Sequence, residues 1–120
     1  MATFNIPSSV NEGDTLNITL MGLVPYSTYS LYMTPSNRDD FGDMTIDGNI
    51  VTHTDNYYYW VPSSNNSTVS LPTTQDDQAE AAERVGFYLY RKYGTFRNSS
   101  ASAYGSTTIN NISSTEIGIE

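Results

Sequence analysis

The stretch QDDQAEAAERVGFYLYR, residues 75–91, joins two patterns that belong to different kinds of secondary structure. Its first half is rich in Ala and Glu, which is typical of a helix start. Its second half alternates Val85, Phe87 and Leu89 with Gly and Tyr, as a strand with one buried face does. Because an isolated helix needs about 12–15 residues to be even marginally stable in water, we expect at most one helical turn before a long strand.

The same alternation recurs along the chain between clusters of Gly, Pro, Asn, Asp and Ser. The clearest case is TLNITLM, residues 15–21, with three aliphatic side chains on one face and Thr and Asn on the other. Further runs typical of strands are residues 28–33, 49–53, 57–61, 67–71, 85–93 and 102–110. The last two are expected to pair with each other.

Short strands at near-regular spacing, with no long helical run, predict an all-β fold. We expect one antiparallel β-sandwich of seven or eight strands over residues 1–120, with short terminal extensions at 1–8 and 114–120. A length of 120 residues with 38% hydrophobic residues fits one domain with one core.

Composition narrows the partners and the chemistry. The chain has no cysteine, which excludes disulfides and thiolate metal sites. Its net charge of −8 repels nucleic acid and anionic lipid, so we expect neither nucleic acid nor a membrane as a partner. The N-terminus has no basic region followed by an apolar run, which predicts that there is no signal peptide and that synthesis is cytoplasmic.

Four segments in a fixed order resemble the pattern of Calx-β domains: SVNEGDTLNITL (9–20), DDF (39–41), DDQAEAAERVGFYLY (76–90) and AYGSTTINNISS (103–114). The chain departs from that pattern at Val85, where an aromatic is usual, and at Asn110 and Asn111, which replace a closing Asp. The resemblance implies an immunoglobulin-like β-sandwich. It also implies that the acidic stretch from Asp76 to Glu83 is a turn that leads into a late strand.

The resemblance further implies a candidate calcium site. In calcium-binding members of that family, carboxylates of the late turn converge with an N-terminal Glu and a mid-chain Asp. The corresponding residues are Glu12, Asp39, Asp40, Asp77, Glu80 and Glu83. Calcium takes six to eight oxygen ligands, which several acidic loops at one end of a sandwich could supply. Acidic turns are also commonly just solvated; we favour that interpretation and expect no cofactor.

The sequence offers little for catalysis. His53 is the sole histidine, so a catalytic dyad or a zinc site is hard to assemble. Asp39 and Asp40 are adjacent, and adjacent carboxylates do not specify the separation of roughly 5–10 Å that glycosidase chemistry needs. We therefore expect a protein that is not an enzyme.

Two groups of residues are candidates for contact with a protein partner. In YYYW, residues 57–60, alternation sends Tyr58 and Trp60 to one face and the other two tyrosines to the opposite face. One pair belongs to the core and the other is partly exposed; we assign the contact to Tyr58 and Trp60, and favour a protein interface over a sugar platform. The second group is a basic and aromatic hairpin tip that suits an acidic surface: Arg91, Lys92, Tyr93, Phe96 and Arg97.

Ser/Thr-rich copies of Calx-β-like domains resemble domains of tailed-bacteriophage structural proteins, which are made in the host cytoplasm and assembled onto a particle. The resemblance therefore implies a virion structural protein. We favour a head decoration or cement protein that binds the major capsid protein or another virion protein and is homo-oligomeric on the particle. A tail or fibre adhesion module stays open, although the sequence has no repeat or coiled-coil shaft, and so does a stand-alone calcium-responsive binding domain.

Overall fold

The computed structural model describes residues 2–34, 41–74, 82–93, 96–97 and 101–110, and the regular elements in these ranges are all strands. In chain order they are β1 (Thr3–Asn5), β2 (Ser9–Asn11), β3 (Thr15–Met21), β4 (Tyr29–Thr34), β5 (Thr45–Ile46), β6 (Asn49–Ile50), β7 (Thr52–Thr54), β8 (Tyr57–Trp60), β9 (Asn66–Pro72), β10 (Glu83–Tyr93), β11 (Phe96–Arg97) and β12 (Ala103–Asn110). Of the stretch expected to form at most one helical turn, residues 75–81 lie outside the described ranges, and Glu83 already begins β10. Within those ranges, no helix has the length and apolar character that a membrane crossing requires.

The strands form two sheets that pack face to face as a β-sandwich. The first sheet has the order β1-β3-β9-β5-β6, and the second has the order β2-β12-β10-β4-β8-β7, with β11 pairing with the end of β10. The expected pairing of the two late runs is confirmed, since β10 and β12 are antiparallel neighbours. The expectation of a wholly antiparallel arrangement fails at one pair of described strands, because β2 runs parallel to β12.

The core lies between the sheets and is built by alternate side chains. On β3 the aliphatic residues from Leu16 to Leu20 are fully buried, and on β10 Val85, Phe87 and Leu89 belong to the same buried cluster. Buried aliphatic and aromatic side chains of this kind supply most of the favourable free energy of folding. The prediction of an all-β sandwich is confirmed, and on long strands such as β3 and β9 alternate residues enter the core, whereas the short strands β6 and β7 are exposed.

Short strands raise the number of described strands to twelve, above the expected seven or eight. Residues 1–8, expected as an extension, contribute β1, where Phe4 lies opposite Leu20 and packs against the core. The run expected as one strand at 49–53 is divided at Val51, which is buried and donates its N–H to the carbonyl of Met44 (3.1 Å). Because Val51 enters the core, the chain passes there from the first sheet to the second.

Gly105 on β12 lies where a side chain has no room. A Cβ built at this position would be 3.0 Å from Cγ and 3.1 Å from Cβ of Phe4 on the opposite sheet. We expect Gly105→Ala to displace Phe4 and to lower the free energy of unfolding by about 1–3 kcal/mol, the usual range for overpacking. Denaturant unfolding followed by the fluorescence of Trp60 measures this change.

Gly42→Ala is the matched control, because its new Cβ would meet Pro72 at an ordinary distance of 3.4 Å. We expect that substitution to change stability by less than about 0.5 kcal/mol. Equal losses in the two variants would contradict a steric role for Gly105.

Candidate functional site

The outer surface of the second sheet carries tyrosines in register on four neighbouring strands, β12, β10, β4 and β8. Tyr88 lies directly opposite Tyr104 on one side and Tyr32 on the other. Tyr32 in turn lies opposite Tyr57. Ring centroids are 4.7 Å apart in the Tyr88–Tyr104 pair, 4.6 Å in the Tyr32–Tyr57 pair and 6.4 Å in the Tyr32–Tyr88 pair. Since rings at such spacings attract one another, the four form one row across the sheet.

Two further tyrosines extend this row along the strands. Tyr90 follows Tyr88 on the same side of β10, and Tyr59 follows Tyr57 on the same side of β8. The ring of Tyr57 lies 6.4 Å from that of Tyr90 and 6.5 Å from that of Tyr59. We call this surface the tyrosine face and define it by six residues: Tyr32, Tyr57, Tyr59, Tyr88, Tyr90 and Tyr104. Tyr104 (53%) and Tyr59 (39%) are exposed and the other four are half-buried.

Gly86 supports the exposed end of the row. A Cβ at this position would lie 3.2 Å from both Cε1 and the hydroxyl oxygen of Tyr104, and 3.1 Å from Oγ1 of Thr34. The ring of Tyr104 therefore packs against the bare backbone of β10. An aromatic ring that covers a glycine in this way compensates for the missing side chain of the strand.

The charge on the tyrosine face is opposite in sign to that of the whole chain. The charged side chains described on its strands are those of Arg84 and Lys92, and the described strand positions on this face include no carboxylate, although the net charge is −8. Arg84 and Lys92 lie eight residues apart on β10, about 26 Å at the usual rise of a strand, and so lie beyond the two ends of its tyrosine pair. Arg84 Nη2 donates to Oγ of Ser106 (2.8 Å), which holds the guanidinium on this surface.

The outer surface of the first sheet differs in composition. Its described strand positions, such as Thr15, Asn17 and Thr19 on β3 and Thr68 and Ser70 on β9, are mostly Thr, Ser and Asn and include no tyrosine. Ser70 Oγ donates to Oδ1 of Asn17 (3.0 Å), a neutral hydrogen bond on the sheet surface. We call this surface the polar face.

The structure places the predicted contact pair of YYYW on the inner side of β8. Tyr58 is 5% exposed and lies opposite the buried Leu31, and Trp60 packs against the core with its Nε1–H donating to Oγ of Ser67 (3.1 Å). Alternation then turns Tyr57 and Tyr59 outward. Within YYYW, the predicted contact pair Tyr58 and Trp60 therefore lies on the inner side, and the side chains that reach the outer surface are Tyr57 and Tyr59.

The predicted basic hairpin tip divides between two environments. Arg91 is half-buried, lies opposite Tyr29 and donates from Nη2 to Oγ of Ser27 (3.0 Å), so it anchors the segment before β4. Lys92 is exposed and belongs to the tyrosine face. The remaining members lie in the β10–β11 hairpin, with backbones in register and side chains outside the described part: Tyr93, Phe96 and Arg97.

Of the calcium candidates, two are described. Glu12 is buried and donates its N–H to the carbonyl of Asn110 (2.9 Å), and Glu83 begins β10 opposite Ile109, so both lie at the same end of the sandwich. The others lie outside the described residues: Asp39, Asp40, Asp77 and Glu80. In the part of the chain that is described, no three His, Asp or Glu side chains come together as a metal site requires.

Two clefts flank the segment where the chain changes sheets. The larger, about 450 Å³, is lined by residues that include Asp47, Ile50 and Trp60. Asp47 already accepts from Ser67 Oγ (2.8 Å) and from the N–H of Thr68 (2.9 Å), so its carboxylate ties the β5–β6 turn to β9. This hydrogen bonding gives the carboxylate a structural role.

The smaller cleft, about 260 Å³, is lined by residues that include Met44 and the exposed His53 of β7. The imidazole ring of His53 lies 5.2 Å from the ring of Tyr58. His53 is thus a strand residue, as the sequence predicts, and its ring packs against that of Tyr58.

Comparison of the chain with protein-family models, curated proteins and solved structures finds no match.

We expect millimolar calcium to leave the melting temperature unchanged, because the acidic turn residues are then solvated and no ligand favours the folded state. Thermal unfolding in calcium and in magnesium at equal ionic strength measures this. A ligand that binds only the folded state raises the melting temperature by mass action. A calcium-specific rise that Glu83→Ala abolishes, and that the control Asp43→Ala leaves in place, would contradict the expectation.

Proposed function

We propose that this chain is a non-enzymatic structural protein of a virus particle that attaches to the protein shell through the tyrosine face, as a head decoration or cement protein. The observation that supports this attachment is the composition of the face, whose described strand side chains include six tyrosines and two cations but no carboxylate. The resemblance to Calx-β domains of tailed-phage structural proteins supports the choice of particle. It also supports an immunoglobulin-like form of the sandwich.

The difference between the two outer faces supports binding through the tyrosine face. Thr, Ser and Asn cover most of the polar face, so a surface of small polar residues is sufficient to keep a sheet of this chain in water. Tyrosine is enriched in protein interfaces because its large ring gives contact area with only two side-chain torsions to immobilise. A second sheet that carries six of them is therefore the surface adapted to a partner.

The charges indicate an acidic protein surface as the partner. Most of this acidic chain repels such a surface, whereas the tyrosine face presents Arg84 and Lys92. Complementary charge of this kind orients the approach of the chain to its partner and disfavours contact through its acidic surfaces. Two copies docked through their tyrosine faces would bring four cations together without a strand carboxylate to offset them. We therefore assign the tyrosine face to contact with a different protein. The expected homo-oligomer then arises because many copies of this chain bind to one shell.

The ring geometry favours a protein over a saccharide. The six tyrosines lie on four strands about 4.8 Å apart, so with the span from Arg84 to Lys92 the face measures about 14 by 26 Å, roughly half of the 800 Å² that each partner contributes to a standard interface. Rings opposite each other in the tyrosine row are tilted by 41° to 50°. They share no common plane on which successive flat sugar rings could stack.

The proposal predicts that virus particles purified from infected cells that make this protein carry many copies of it on their heads. The variant Tyr59→Ser with Tyr104→Ser removes the two most exposed rings of the face, and we expect it to weaken attachment about thirtyfold or more, as loss of interface hot spots does. Imaging of the particles and quantitative mass spectrometry of their proteins measure the copy number.

Tyr26→Ser is the matched control, because Tyr26 is 78% exposed on a loop outside the tyrosine face. We expect this variant to retain full occupancy on the particle.

Raising the salt concentration should weaken the attachment of the wild type more than that of the variant Arg84→Glu with Lys92→Glu, since screening acts on the charges that this variant has lost. Equal occupancy of the two tyrosine variants would contradict docking through the face, a few copies at the tail would favour the adhesion module, and absence from particles would refute the virion assignment.

A further inference from the structure

Both sheets have an open edge where the chain passes from the first sheet to the second. β6 is the last strand of the first sheet and β7 the last strand of the second, and among the described strands neither has a neighbour on its outer side. An edge strand has backbone N–H and C=O groups on its open side that can pair with a strand of another chain.

The turn of the β5–β6 hairpin sets the direction of these groups on β6. Residues 47–48 form a two-residue turn with φ of 54° and 88°, as a type I′ turn requires. The residues that flank such a turn, Ile46 and Asn49, exchange hydrogen bonds with each other. Pairs with and without hydrogen bonds alternate along an antiparallel ladder, so the next residue, Ile50, belongs to a pair without them.

The backbone of Ile50 therefore faces the open edge. The N–H of Val51 donates to the carbonyl of Met44 (3.1 Å), which is the next hydrogen-bonded position that the alternation requires. The N–H and C=O of Ile50 lie between the two bonded positions and point away from β5. Ile50 is 72% exposed, so a strand of another chain can approach it.

The larger of the two clefts adjoins this edge. Ile50 lines it from the first sheet, and Tyr59 and Val61, which are both exposed, line it from the end of β8. Polar residues, including Asn49 and Thr52, complete the lining. Exposed apolar side chains beside polar groups suit an extended polypeptide, which brings both side chains and backbone hydrogen-bonding groups.

The cleft is continuous with the tyrosine face, which alone is smaller than a standard interface. The face of about 14 by 26 Å supplies roughly half of the 800 Å² that each partner contributes. Tyr59 belongs both to the tyrosine face and to the lining of the cleft. A partner that covers the face can therefore gain further contact area by continuing around this edge.

The charge at the cleft differs from that of the tyrosine face. Asp47 is the one charged residue among the described residues that line the cleft, and its carboxylate accepts hydrogen bonds from Ser67 and Thr68. An acidic side chain placed there would meet a like charge without a cation to offset it. The cleft therefore suits a segment without Asp or Glu.

We infer that the protein which covers the tyrosine face also lays an extended segment in this cleft, paired with the backbone of Ile50 and packed against the side chains of Ile50 and Val61. The inference rests on the proposed function, since it names a second part of the same interface. The segment has apolar side chains and no acidic one within the cleft. In strand addition of this kind, main-chain hydrogen bonds supply affinity and alternate side chains supply specificity.

The variant Ile50→Ser with Val61→Ser tests the side-chain contacts. Because both residues are exposed, we expect an unchanged melting temperature but attachment to purified particles that is weaker by about tenfold or more, measured as copy number. Met21→Ser is the matched control, since Met21 is an exposed apolar residue on the outer side of β3, in the polar face. It should retain full occupancy, and an equal loss in this control would overturn the inference.

Tyr104→Ser separates the inference from the proposed function, because Tyr104 belongs to the tyrosine face but does not line the cleft. Loss of attachment by Tyr104→Ser together with wild-type attachment by the cleft variant would overturn the inference and leave the proposed function standing. Full attachment by both variants, or absence of the wild type from particles, would instead refute the proposed function.

Hydrogen exchange followed by mass spectrometry tests the backbone pairing. The outward N–H of Ile50 should exchange rapidly in the free protein and at least tenfold more slowly on the particle, where it donates to the added segment. Unchanged exchange at Ile50 on fully occupied particles would overturn the inference. A dimer of the free protein in sedimentation, abolished by Ile50→Ser with Val61→Ser, would also overturn it, because the edge would then bind a second copy of this chain.

Discussion

The alternation of side chains along β10 is the constraint on which the rest of the structure depends. This strand lies between β12 and β4, and its odd-numbered residues Val85, Phe87 and Leu89 enter the core while Tyr88 and Tyr90 face outward. Because the side-chain period of a strand is two, a slip of one residue would bury the tyrosines and expose the aliphatic residues. The core and the tyrosine face are therefore specified by one register, and neither can change without the other.

Tyrosine suits the outer surface of a sheet because such a residue must both shield the strands and contact water. Its ring covers the strand backbone and packs on its neighbours, and its hydroxyl remains compatible with water. The close contacts of Tyr32 with Tyr57 and of Tyr88 with Tyr104 hold these rings in place in the free protein. In the proposed attachment, less side-chain entropy is then lost on binding, which is the usual advantage of a preorganised surface.

Sequence alone predicts the parts of the fold in which the alternation is strict. The strand at 15–21 and the pairing of β10 with β12 follow from runs whose polar and apolar phases are unmistakable. Strands of two or three residues, such as β1 and β2, cannot be predicted from sequence because so short a segment shows no period. The division of the run at 49–53 is not visible in the sequence either, since it depends on Val51 reaching the core from a point between the sheets.

The outward pair of YYYW could not be chosen from its own residues, because four aromatics in succession have no polar phase. The phase is decided by the neighbouring strand, where Leu31 lies opposite Tyr58 and Tyr32 lies opposite Tyr57. A signal was nevertheless present, since Tyr32 lies between two apolar residues at an outward position, as Tyr88 does on β10. Tyrosines that recur at the solvent phase of several strands predict an aromatic sheet surface once the strand order is known.

Both outer faces of the sandwich contact water, so the difference between their amino-acid compositions needs a physical explanation. Ser, Thr and Asn suit that contact on the polar face, and the neutral hydrogen bond between Ser70 and Asn17 shows how such a surface satisfies its own polar groups. The tyrosine face instead presents six tyrosine rings, with Arg84 and Lys92 at its ends, on a chain that is otherwise acidic. The proposed attachment to an acidic protein surface gives these features a partner that the folded chain alone does not supply.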